Sequence, residues 1–131
     1  MTTFIEHVAL NVADPAAIAQ WYCTHLGMTI LRGADTPTPV RFLGDPANGK
    51  VILEFYHNET IPISDFATIS QVTFHIAFHT DDVEAMRLKL LNAGATALSP
   101  TEILDGGMEV AFVRDPWGLC VQIIHRNKAL L

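Results

Sequence analysis

The chain has 131 residues, half of them hydrophobic and 17% charged, with a formal net charge of −6. That length suits one domain with a usable core, and the composition excludes a disordered chain. The acidic balance argues against nucleic acid or an anionic membrane as partner, since both require a basic patch.

No apolar run approaches the ~20 residues of a membrane span. Residues 1–7 (Met-Thr-Thr-Phe-Ile-Glu-His) lack the basic and apolar regions of a signal peptide, so a cytoplasmic protein is expected. Cys23 and Cys120 show no CxxC spacing and read as reduced thiols.

Taken in order, Phe4 to Val12 is apolar and β-branched, a predicted strand. Asp14-Pro15 supplies an N-cap and a first-turn proline for a helix over Ala16 to Leu26, ended by Gly27. Met28 to Leu31, Val40 to Leu43 and Val51 to Tyr56 read as strands, with a turn signal over residues 44–49. After a connector, Gln71 to His79 is a strand, and Val83 to Asn92 a helix closed by Gly94. Asp81 or Asp82 caps that helix, with Glu84 spaced for a capping box to Asp81. Ala95 to Leu98, Met108 to Val113 and Leu119 to His125 complete the strands, the last two joined through Asp115-Pro116-Trp117-Gly118.

The second half therefore repeats the first. His7 and Glu54 are 47 residues apart, as are His75 and Gln122, and the second pair is the first displaced by 68 positions. His7 to Asp14 overlays His75 to Asp82 without a gap, with the His, an Ala and the last Asp identical. A chain that repeats itself is two copies of one supersecondary unit. The expected fold is α+β: one domain of two tandem βαβββ modules, approximately 4–58 and 71–126 with a connector over 59–70, curving a mixed sheet around a cup-shaped site. Residues two apart share a sheet face. His7 thus shares a face with Ala9 and Asn11, Glu54 with Tyr56 and Asn58, His75 with Ala77 and His79, and Gln122 with Cys120 and Ile124. Val8, Leu10, Ile76 and Phe78 line the opposite faces and are expected to pack under the helices.

Residues 6–14, Leu53-Glu54-Phe55, residues 74–78, and residues 114–118 leading into Val121-Gln122-Ile123 together resemble the vicinal oxygen chelate superfamily: glyoxalases, extradiol dioxygenases, fosfomycin- and bleomycin-resistance proteins, and methylmalonyl-CoA epimerase. The resemblance covers nearly the whole chain. It implies a divalent cation (Zn, Ni, Co, Mn or Fe) held by His7, Glu54, His75 and Gln122, residue types that suit such ions. It also implies a small-molecule substrate bound through adjacent oxygens, an enediolate intermediate, and a homodimer. Glu54 is the candidate base, and Asn11, Tyr56, Asn58 and His79 are candidate substrate contacts. His57 and His125 fall on the opposite parity and read as structural; His25 sits at a helix C-terminus, where the dipole favours it.

The chain departs from the pattern at Gln122, where Glu is common; glutamine ligates through oxygen but moves no proton. That favours a glyoxalase-type lyase or isomerase acting on an α-oxo or thioester compound. An extradiol-type iron dioxygenase comes second, and a metal-free drug-sequestering protein third. An arginine seen in glutathione-binding members is replaced by Asn11.

Overall fold

The computed structural model describes residues 1–47 and 50–131; Asn48 and Gly49, in the turn expected at residues 44–49, lie outside the described residues. The chain folds as two compact units, Met1–Ser64 and Asp65–Leu131. In the first, β1 (Val8–Asn11), α1 (Pro15–Leu26), β2 (Thr29–Ala34), β3 (Val40–Gly44) and β4 (Leu53–Tyr56) follow in order. In the second come β5 (Ile76–His79), α2 (Val83–Asn92), β6 (Thr96–Ala97), β7 (Glu102–Ile103), β8 (Glu109–Arg114) and β9 (Cys120–His125). Among the described residues each unit is α+β with one α-helix and one mixed sheet; the first has the βαβββ order expected from the repeat, and the second has one strand more. Among the described residues no helix is long and apolar enough to cross a membrane.

Each sheet places the first strand of its unit parallel to the last. β1 pairs with β4, and the sheet continues antiparallel through β3 to β2. β5 pairs with β9, continuing antiparallel through β8 to β6, with β7 also on β8. The registers repeat: Ala9 lies opposite Glu54 and Ala77 opposite Gln122. The middle strands are offset by two more residues, since Phe42 faces Glu54 while Phe112 faces Gln122.

The bulges repeat as well. Leu31 is the extra residue where the β2–β3 register slips between Ile30 and Arg32. In the second unit, Leu98 and Ser99 both donate their N–H groups to the Phe112 carbonyl, and Ser99 Oγ accepts the Phe112 N–H. Pro100 follows and has no N–H for the ladder, so the counterpart of β2 is broken into β6 and β7. The strand expected over Ala95 to Leu98 is accordingly shorter, and β7 is one that alternation alone did not reveal.

The helices are capped alike. Asp14 accepts the Ala17 N–H at 3.0 Å and Asp82 the Ala85 N–H at 2.9 Å. Asp82, not Asp81, is therefore the cap of α2. Glu84 forms no capping box; it pairs with Arg87 at 3.1 Å and accepts from the Thr101 hydroxyl. Gly27 ends α1 at φ +72°, a left-handed conformation natural to glycine. Helix α1 buries Ile18, Ala19, Trp21 and Tyr22, with Leu43, Leu53 and Phe55 of the sheet also buried; α2 buries only Val83 and Leu90. Leu10 is buried as expected, but Val8 stays 41% exposed at the start of β1. That strand is shorter than the expected Phe4 to Val12, because its ladder begins where the Val8 N–H meets the Ile52 carbonyl. Likewise β5 starts at Ile76, since Thr73 and Phe74 turn back onto the Ser70 carbonyl.

The Asp115-Pro116-Trp117-Gly118 turn proves structural. Asp115 is buried and accepts the N–H groups of Trp117 and Leu119, both at 2.9 Å. Arg114 donates to the carbonyls of Phe66, Ile69 and Gly118, fastening the start of the unit to the turn. A Cβ at Gly118 would meet the Ala67 nitrogen at 2.8 Å, so the close approach needs glycine.

Losing a side-chain cap costs about 1 kcal/mol. Asp82→Ala is expected to lower stability by about that amount in a denaturant melt, with Asp81→Ala within about 0.5 kcal/mol of the parent.

Candidate functional site

Parallel pairing brings His7 and Glu54 together in the first unit. His7 immediately precedes β1 and shares a face with Ala9, which stands opposite Glu54. Alanine leaves the space above the carboxylate open, and His7 Nε2 lies 3.0 Å from Glu54 Oε2. Glu54 is held between buried Leu53 and Phe55 with its side chain 19% exposed; that of His7 is 33% exposed. Phe42 meets the His7 ring edge-on at 5.6 Å.

The second unit repeats this frame. His75 precedes β5, Ala77 stands opposite Gln122, and Phe112 meets the His75 ring edge-on at 5.5 Å. Gln122 is half-buried between buried Val121 and Ile123.

Hydrogen bonding selects the ring nitrogen that each histidine presents. The Gln71 carbonyl can only accept, so His75 Nδ1, 2.7 Å away, carries the proton and leaves Nε2 with its lone pair. His7 Nδ1 lies 3.0 Å from Glu6 Oε1, a carboxylate partner of the kind that orients metal-bound histidines. A neutral His7 then turns its Nε2 lone pair toward the Glu54 carboxylate. Two such groups at 3.0 Å repel unless a proton or a cation lies between them. Two donors bound to one cation at about 2.0–2.1 Å, at right angles, stand roughly 3 Å apart. The spacing therefore admits a divalent ion between the two donors as well as a shared proton. Among the described residues no three His, Cys, Asp or Glu side chains cluster as a metal-binding group, so the first unit offers a pair of such donors rather than a complete set.

The expected substrate contacts have varied surroundings. The Asn11 amide donates to the carbonyls of Asn58 and Ile61, each at 3.3 Å, and its oxygen accepts the Asn58 N–H at 2.8 Å. Asn58 Oδ1 accepts from the N–H and hydroxyl of Thr60. Both amides therefore shape the turn after β4. Tyr56 is half-buried, opposite Asn11 and Val40. His79 is exposed and lines a cavity of about 500 Å³ with Ala77, Gln122, Ile124, Arg126, Ala129 and Leu130. Arg126 was missed by the sequence reading, although it shares its parity with Gln122 and Ile124. His57 and His125 are structural, their Nδ1 atoms meeting the Val12 and Thr80 carbonyls at 2.8 and 3.1 Å. His25 lies in the last turn of α1, against Trp21.

A family model described as the Glyoxalase/Bleomycin resistance protein/Dioxygenase superfamily matches residues 4–123. A Brassica oleracea protein named as a lactoylglutathione lyase is 32% identical over 129 residues, covering 92% of this chain. The chain spans only 44% of that relative's length. A Synechocystis protein named a probable lactoylglutathione lyase is 29% identical, with 95% of this chain and 96% of the relative covered. Among solved structures, a glyoxalase I mutant from Zea mays matches with a TM-score of 0.74 and 27% identity, over 94% of this chain and 45% of that one.

Neither cysteine is primed as a nucleophile. Burial pushes the Cys120 thiol up, with Arg114 opposing and Asp115 adding to the rise; burial also raises Cys23, against a backbone hydrogen bond from Ile30. Thiolate is the reactive form. Alkylation of the folded protein by iodoacetamide should therefore be slower than that of free cysteine at pH 8. Its rate should keep climbing above the ordinary thiol range, and both thiols should react promptly in denaturant.

Proposed function

Because the chain belongs to the glyoxalase/bleomycin resistance protein/dioxygenase superfamily, we propose that it is a divalent-metal-dependent, glyoxalase-type lyase or isomerase acting on a small α-oxo compound or thioester. The observation that carries this reading is the 3.0 Å His7–Glu54 pair, together with its positional repeat at His75 and Gln122. The relatives' name, lactoylglutathione lyase, supports the thioester class.

In this reading His7, Glu54, His75 and Gln122 are the donor set, each histidine through Nε2. The cation, when bound, supplies Lewis acidity that polarises a substrate carbonyl. Glu54 takes the proton from the hydroxyl-bearing carbon alpha to that carbonyl, leaving an enediolate, and delivers it to the former carbonyl carbon while the hydroxyl proton passes to the former carbonyl oxygen, so that the carbonyl and the hydroxyl exchange places. Gln122 occupies the equivalent position in the second unit but carries neither charge nor transferable proton, so proton transfer falls to the first. Glu6 holds His7 in orientation, and Phe42 and Phe112 limit the movement of the two rings. Exposed Phe4, Ile5 and Val72 are consistent with a homodimer.

Metal analysis of protein purified without a histidine tag should give stoichiometric Zn, Ni, Co or Mn. Glu54→Gln should retain metal yet lose about 10²–10⁴-fold in turnover, the usual contribution of a general base. Full activity in that variant would remove Glu54 from the role, and metal-free active protein would sink the metal-dependent reading.

A further inference from the structure

The cavity beside Gln122 is lined by a cation that no carboxylate among the described residues pairs with. Arg126 lines it as a half-buried residue, and its guanidinium donates from Nη1 to the sulfur of Met108 at 3.1 Å. A thioether is a weak acceptor and carries no charge. The chain has 14 acidic residues against eight basic ones, yet among the described residues no Asp or Glu forms an ion pair with Arg126. By contrast Arg41 pairs with Asp35, Arg87 with Glu84, and Arg114 is spent on three carbonyls. Partly desolvating a guanidinium without an anion is costly, so its retention there calls for a partner from outside the fold.

The rest of the lining describes that partner. Ala77, Ile124, Ala129 and Leu130 are apolar, while His79, Gln122 and Arg126 supply the polar groups. His79 is the only other ionisable side chain in the lining, so the permanent charge is a single positive one. We propose that Arg126 anchors the carboxylate of the substrate, whose apolar body lies along Ile124 and Leu130 and whose reacting end reaches Gln122. A planar guanidinium suits a carboxylate through paired N–H bonds, and one positive charge matches a monoanion better than a phosphate dianion. The inference rests on the reading of Gln122 as part of the site and deepens it by naming the substrate class: an apolar compound with a terminal carboxylate.

Benzylthioacetate and benzylthioacetamide have the same shape and differ in charge, so their affinities isolate the anchor without requiring turnover. Calorimetric titrations would use the protein as purified and after treatment with a chelator. The carboxylate should bind at least tenfold more tightly than the amide in both forms. Arg126→Met should reduce that preference to about twofold or less, while Arg126→Lys, which keeps the charge, should retain part of it. Should the Met variant not fold, the Lys variant combined with side-chain Nε–H NMR of the parent decides the matter: the Arg126 signal should shift with the carboxylate and not the amide. Equal binding of the two probes would overturn the inference, as would a preference that survives Arg126→Met. A preference that disappears on chelation would also overturn it, because the anion would then be resting on the cation. Since one arm is metal-free, failure of the metal-dependent reading would leave this result interpretable.

Discussion

Parallel pairing of the first and last strands of each unit is the constraint on which the candidate site depends. A parallel neighbour cannot be reached by a tight turn, so the intervening helix and two or more strands are threaded between them. The result joins residues 47 positions apart in sequence, Asn11 with Asn58 as well as His7 with Glu54. Alanine at positions 9 and 77 then keeps the space above each partner open. The carboxylate of Glu54 sits in an apolar strand, between buried Leu53 and Phe55, where it would be costly without a counterpart. The parallel register supplies one.

What the two units share is chiefly scaffold, and where they differ the chemistry differs. Both keep the helix-capping aspartate, the bulge opposite Phe42 or Phe112, the edge-on ring contact, and a structural histidine at the end of the last strand. Three ligand-face positions that are polar in both units break the repeat. Glu54 becomes Gln122, Asn11 becomes His79, and Asn58 becomes Arg126. In the first unit the asparagines are consumed in shaping a turn, leaving a carboxylate beside an imidazole. In the second, the corresponding histidine and arginine are turned to an apolar cavity beside a neutral amide. On the proposed reading, proton chemistry and anion recognition fall to different halves of the chain.

Much of this was legible in the sequence, because caps, alternation and repeats are local signals. Helix α2 runs over the expected Val83 to Asn92, and the His–Ala–Asp spacing gave the repeated frame. The shortfalls have physical causes. Apolar Phe4 and Ile5 looked like strand residues, but ladder bonds need a partner strand, and both are largely exposed outside it. Asp81 and Asp82 were equivalent as caps in composition; the Ala85 N–H, three residues after Asp82, distinguishes them. Alternation places Asn11 on the ligand face, but no sequence pattern reveals that its amide closes a turn 47 residues later. Arg126 stands where the repeat fails, at the counterpart of Asn58 in the first unit, so the repeated ligand types do not point to it.

The proposed function requires that His7 and His75 each bind one divalent ion through Nε2, and ¹⁵N-detected NMR of the imidazoles tests this most directly. In metal-free protein His75 should be the Nδ1–H tautomer, as its bond to the Gln71 carbonyl requires. Titration with Zn²⁺ should shift the Nε2 signals of both His7 and His75 and saturate at one equivalent, leaving His57 and His125 unchanged. A response from only one of the pair, or binding through Nδ1, would contradict the account.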